Sequence, residues 1–146
     1  MVTGVPGLEE TAVKERGYRR CLAGHGLEME PGQVQPGFYR YEESYRAAGY
    51  LLKLFQPDAI LAVNDLAAIA ALNCALDMGL RVPEDLAVIG FGNSETAAFT
   101  SPGLTTVEQH KAYCGQRGAQ KLIDLLEGKR PVSEMVETEL VLRGSV

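Results

Sequence analysis

The stretch from Pro57 to Phe91, PDAILAVNDLAAIAALNCALDMGLRVPEDLAVIGF, constrains the fold more than any other part of the chain. Ala59 to Val63 and Leu86 to Phe91 are short, unbroken apolar runs, as strands covered on both faces of a parallel sheet require. Between them Leu66 to Leu76 is rich in Ala and Leu, with Gly79 as a C-terminal stop and Pro83 just beyond. The spacing predicts a βαβ unit with a right-handed crossover. In open sheets of this kind ligands sit outside the carboxyl ends of the strands, so Asn64, Asp65, Gly92 and Asn93 are the first candidates for contact. Asn64 or Asp65 would also serve as an ordinary N-cap for the following helix, and spacing alone leaves both roles open.

From Leu66 to Leu76 the only polar side chain is Asn73. A helix packed on one side of a sheet does not need to be apolar nearly all round, so a second helix or a second subunit is expected against it. Leu66, Ile69, Leu72, Asn73 and Leu76 are the residues offered for a dimer contact, with burial inside a three-layer fold as the alternative.

A chain of 146 residues, 46% of them hydrophobic, suits one core. The net charge is −5, and Lys and Arg cluster no further than pairs such as Arg19–Arg20, so the electrostatic footprint of a nucleic-acid binder is missing. Cys21, Cys74 and Cys114 are odd in number, far apart and within expected helices, which points to buried reduced thiols and away from disulfides or a zinc site. No stretch has the pattern of a secretion signal or the length of a membrane span, and a cytoplasmic location is the expectation.

Taken in order, Met1 to Val5 reads as a strand remnant too short for a central position. Glu9 to His25 is an expected helix with Val13, Gly17, Tyr18, Cys21 and Leu22 on one face. Gln33 to Tyr39 is a weak strand and Glu42 to Phe55 a helix with Tyr45, Ala48, Leu52 and Phe55 in register. After Phe91 comes a polar loop with room for one short turn, then an extended segment from Leu104 to Val107. Glu108 to Glu127 carries a stripe of Gly115, Gly118, Ala119, Leu122, Ile123 and Leu126, whose glycines suggest close approach to a neighbour. Val136 to Leu142 alternates as a strand with one exposed side.

The strings PDAILAVNDLAAIAAL, GLRVPEDLAVIGFGN, P-x-L-T-T-V-x-Q at Pro102 to Gln109 and the closing LVLRGSV together resemble the LacI/GalR family of bacterial transcriptional regulators. KERGYRRCL near the start resembles that family's R-x-x-G-F/Y helix. The resemblance implies a three-layer open parallel α/β sheet with helices on both faces, the second lobe of a periplasmic-binding-protein-like domain. It covers residues 1–146 as a partial effector-binding and dimerisation domain, with the DNA-binding headpiece absent from the chain.

At positions matching the family's motifs, the resemblance assigns effector contact to Asn64, to Tyr39 as a stacking aromatic and to Gln109 beside the hinge between lobes. A carboxamide both donates and accepts, as a sugar hydroxyl needs, and a tyrosine offers an apolar face with a hydroxyl. Two positions depart from the pattern. Lys14 stands where the family has Arg, keeping the charge without the bidentate fork, and Gly92 stands where the family's G-F-D motif has a carboxylate. Keeping a cation while losing an anion favours an acidic sugar such as gluconate, and G-F-G also resembles the family's gluconate-repressor branch. The implied partners are a small sugar or sugar acid, a second copy of the chain, and DNA only through the missing headpiece. No cofactor, metal or membrane partner is expected, and no assembled nucleophile and base suggest an enzyme, since His25 and His110 are isolated. A sugar-binding component of a transport system, or a lobe retaining only association, is the alternative. A phosphoryl-accepting receiver domain is set aside because the amino-terminal segment lacks the carboxylates needed to hold its metal.

Overall fold

The computed structural model describes residues 1–146. Its elements run β1 (Val2–Thr3), α1 (Glu9–Gly24), β2 (Gln35–Pro36), α2 (Tyr41–Phe55), β3 (Ala59–Leu61), α3 (Asp65–Asp77), β4 (Ala87–Phe91), a 3₁₀ turn (Glu95–Ala98), β5 (Thr105–Glu108), α4 (Lys111–Leu126) and β6 (Glu139–Val141). One sheet has the order β3-β4-β5-β6, parallel except for the antiparallel edge strand β6. The β1-β2 pair is joined to it through a bridge from Val2 to Ala62, with the Val63 N–H donating to the Val2 carbonyl at 2.9 Å. The six strands therefore lie in the order β2-β1-β3-β4-β5-β6.

The expected βαβ unit is present, with Ile60 opposite Val88 in register. Its helix starts where Asn64, in extended conformation, accepts from the Ala67 N–H at 2.9 Å, and stops where Gly79 takes φ +80. Arg81 then donates to Asp85 through its backbone N–H, Nε and Nη2, which holds the Asp85 carboxyl down to about 2 and fixes the turn into β4.

Alternation along β4 separates the two faces. Val88 and Gly90 are buried beneath α3, while Ala87, Ile89 and Phe91 are half-exposed on the face that α1 partly covers. A cluster of 19 buried apolar residues runs from Val2 to Leu104 and draws nothing from α1, α4 or β6. The stabilising core thus lies between the sheet and the α2/α3 layer.

That layer covers one side of the apolar helix. Its buried residues include Ala67, Ala68, Ala71, Leu72 and Ala75, because α2 lies against it through Ala47, Ala48, Leu51 and Leu52. Leu72 is fully buried in the core, so it has no place on a dimer surface, whereas Leu66 and Leu76 are 44% and 40% exposed. Asn73 donates to the Tyr41 hydroxyl at 2.8 Å.

Several other expectations are corrected. Met1 to Val5 is not peripheral: Val2 is fully buried with β2 on one side and β3 on the other, since two paired residues suffice when neighbours supply the hydrogen bonds. Of the cysteines only Cys74 is buried; Cys21 and Cys114 are exposed on helices that face solvent. The last helix begins at Lys111, because Glu108 closes β5 and His110 turns the backbone with φ +49. It buries no residue, and a Cβ at Gly115 or Gly118 would meet nothing within 4 Å, so within this chain the glycine face has no neighbour. A return segment is strapped to it by Arg117 and Lys121, 2.7 and 3.3 Å from Glu134. The Arg117 and Lys121 hydrogen bonds hold the Glu134 carboxyl down to about 2.

The buried carboxylate of Asp65 joins three elements. Oδ1 accepts from the Thr106 hydroxyl and Oδ2 from the Ser94 N–H, each at 2.5 Å. Gly90 leaves room for it, since a Cβ there would overlap Oδ1 and lie 2.9 Å from Leu104 Cδ2. Asp65→Ala is expected to lower unfolding free energy by roughly 2–4 kcal/mol, because both donors lose an ionised acceptor in the interior. Urea denaturation followed by circular dichroism checks this; a loss below about 0.5 kcal/mol would show the carboxylate to be dispensable.

Candidate functional site

The carboxyl ends of β1 to β5 lie along one edge of the sheet, and the candidate residues are distributed along it. Two consecutive left-handed residues, Phe38 (φ 54) and Tyr39 (φ 58), turn the chain after β2 and lay the Tyr39 ring against Gly4, where a side chain would overlap it. The Tyr39 hydroxyl is 3.2 Å from Thr11 Oγ1, so its polar end is anchored to α1.

Lys14 reaches from α1 over the ends of β3 and β4. Its Nζ donates to the Val63 carbonyl at 3.3 Å and to Glu10 Oε1 at 2.7 Å, and lies 4.6 Å from the centroid of the Phe91 ring. Beneath it a cleft of about 430 Å³ is lined by Met1, Tyr18, Leu61, Val63 and Phe91. Asn64 caps α3 through its carbonyl oxygen, and its Nδ2 donates to no protein group. Capping therefore uses one end of the carboxamide and leaves the other at the edge. The Gln109 side chain, at the junction of β5 and α4, makes no hydrogen bond to the protein.

After β4 the residues diverge in role. Gly92 adopts φ +126, a conformation open to glycine, and its carbonyl accepts from Lys111 Nζ at 2.6 Å. Asn93 is engaged at both ends: Nδ2 donates to Glu108 Oε2 and Oδ1 accepts from Arg143 Nη2, each at 2.8 Å. Its backbone N–H donates to Thr106 Oγ1 at 3.2 Å. The structure thus brings Asn93 into a brace among β4, β5 and the segment after β6.

Sequence reasoning missed Lys111, Glu108 and Arg143: the parallel pairing of β4 with β5 brings Glu108 and Lys111 beside the loop after β4, and Arg143, placed beside Leu104 at the start of β5, reaches Asn93 with its side chain. Glu108 and Arg143 lie within the P-x-L-T-T-V-x-Q and LVLRGSV strings, which carry their positions without their partners, and Lys111 lies two residues beyond the first. No group of three or more His, Cys, Asp or Glu side chains is placed to hold a metal ion, and no helix is long and apolar enough to cross a membrane.

Asn93 and the His110 N–H hold the Glu108 carboxyl below its usual value of 4.5. A depressed folded pKa contributes stability above pH 4.5 that disappears as pH falls through the folded value. Glu108→Gln is therefore expected to make stability fall less steeply between about pH 6 and about pH 3 than in the parent chain. Urea midpoints across that range measure it, and parallel curves would remove Glu108 from the acid response.

The sequence and the fold are similar to those of known proteins. The family described as "Periplasmic binding protein-like domain" matches residues 1–146. The chain is 34% identical over 144 residues to the HTH-type transcriptional repressor PurR of Pasteurella multocida, covering 95% of this chain and 43% of that protein. It is 35% identical over 133 residues to the HTH-type transcriptional repressor CytR of Escherichia coli K12, covering 89% and 39% respectively. A solved "transcriptional regulator CelR-cellobiose complex" superposes with a TM-score of 0.91 at 32% identity, covering 99% of this chain and 45% of that one. The chain spans less than half the length of these proteins. With its parallel strands, its layered helices and a profile match along its whole length, the chain belongs to the periplasmic binding protein-like domain family.

Proposed function

We propose that these 146 residues form the second lobe of the effector-sensing and dimerisation domain of a LacI-type transcriptional regulator, acting in the cytoplasm. The lobe binds a small sugar or sugar acid and controls DNA binding by a headpiece outside this sequence. The observation that carries the reading is the strand edge, where the Asn64 Nδ2, the Gln109 carboxamide, Lys14 and the anchored ring of Tyr39 line the end of the sheet. Such groups bind polyhydroxylated ligands by donating, accepting and stacking. The resemblance to PurR and CytR repressors supports the regulatory role, and that to a cellobiose-bound regulator supports the ligand class.

Coupling follows from the connections at this edge. The chain leaves the sheet from β5 through His110 and returns as β6, so a ligand that changes the packing at Gln109 acts where the two crossings pass. A ligand shifts such an equilibrium only by its differential affinity for the two arrangements.

A thermal-shift titration with gluconate, glucose and ribose tests the reading. Gluconate is expected to raise the melting temperature with concentration, and Asn64→Ala to remove the rise while leaving the unliganded melt cooperative. A cooperative melt unmoved by any of the three would overturn it.

The dimer surface in this proposal is the outer strip of α3, Leu66, Ile69, Asn73 and Leu76, at helical spacing on one side. Paired Leu66→Asp and Leu76→Asp substitutions bury two unpaired charges in such an interface. Sedimentation velocity should show a dimer for the parent chain and a monomer for the double variant; an unchanged sedimentation coefficient would place association elsewhere.

A further inference from the structure

Lys111 is the first residue of α4, and its ammonium has no carboxylate within 4 Å. Lys14, Lys121 and Lys129, by contrast, are each ion-paired. The nearby acids are already committed. Glu108 accepts from Asn93 Nδ2 at 2.8 Å and from the His110 N–H at 2.6 Å, and the buried Asp65 accepts from Thr106 and Ser94. Lys111 Nζ spends one donor on the Gly92 carbonyl at 2.6 Å and has two more.

Gly92 permits this approach. A Cβ on it would stand 2.8 Å from Lys111 Nζ, and its φ of +126 disfavours any side chain. The ammonium therefore occupies the space that a side chain at position 92 would otherwise fill. It borders an open groove of about 400 Å³ lined by Gly92, Asn93, Glu108, His110 and Tyr113. The uncapped first turn of α4 adds its partial positive charge on the same side.

We propose that Lys111 is the specificity-determining cation of the ligand site, receiving the carboxylate of an acidic sugar and so selecting it over its neutral counterpart. The inference rests on the sugar-sensing reading above and adds to it a residue and a charge class. Lys14 is neutralised by Glu10, so Lys111 supplies the charge that discriminates.

The test is isothermal titration of the parent chain, Lys111→Met and Lys111→Arg with matched pairs: glucose and gluconate, galactose and galactonate, ribose and ribonate. The acid of at least one pair is expected to bind the parent chain more tightly than its neutral partner. Lys111→Met should weaken that acid by about tenfold or more while leaving the neutral sugar's affinity unchanged, and Lys111→Arg should retain the preference. Preference for the neutral member, or an acid preference that survives Lys111→Met, overturns the role of Lys111 and leaves sugar sensing standing. Binding by no member of any pair overturns both.

Discussion

A carboxylate withdrawn from water survives only if hydrogen bonds replace its hydration, and Asp65 meets that condition with two short ones. One comes from the loop after β4 and the other from β5, while Asp65 itself opens α3. Three segments distant in sequence are thereby fixed at one end of the sheet. The register of β3, β4 and β5 fixes where their carboxyl ends stand, and this carboxylate fixes the loops that leave them. Asn64 and Gly92 at the site depend on it, as neighbours of Asp65 and of the loop it holds. Gly90 is part of the same device, because a side chain there would occupy the space the carboxylate needs.

The molecule is asymmetric about its sheet. The α2/α3 face holds the continuous apolar core, whereas α1 buries only Thr11 and α4 buries nothing. On the α4 side, polar ties replace packing. Arg143 bonds to Asn93 and to the Leu104 carbonyl, and Ser145 bridges Val88 and Thr105 with bonds of 2.6 and 2.8 Å. These ties hold the returning segment against β4 and β5 without an apolar layer over it. Helix α4 meets the sheet at its N-terminal end, where Lys111 bonds to Gly92, and its far end, with Leu126 81% exposed, is linked to β6 only through the return segment. A rigid layer thus carries the strand ends that would bear a ligand, and lightly packed elements lie across the crossings through which binding would be felt.

The parts of the fold legible in the sequence are those whose cause is local. An Ala- and Leu-rich run between two apolar stretches, ended by Gly79, defines β3, α3 and β4 to within a residue or two. The capping role of Asn64 was legible as one of two alternatives, and the structure shows it using the carbonyl end of the side chain. The two-residue strands β1 and β2 were not legible at full weight, because so short a strand has no periodicity and takes its identity from its neighbours. The glycine stripe of α4 meets no neighbour within these 146 residues, since spacing on a helix gives a face without saying what covers it.

By itself, then, the sequence determined the layered α/β class, the central βαβ unit and the residues that follow its strands, since hydrophobic period, caps and turn residues act within a few positions of one another. Only the tertiary structure decided which side of the apolar helix is core, placing Leu72 inside and Leu66 and Leu76 outside. It also gave Asp65 its partners 29 and 41 residues away and brought Lys111 to the carbonyl of Gly92. Those outcomes depend on which strands pair and in what direction, and a buried charge or a free ammonium acquires its role from groups that pairing brings near, not from its neighbours in the chain.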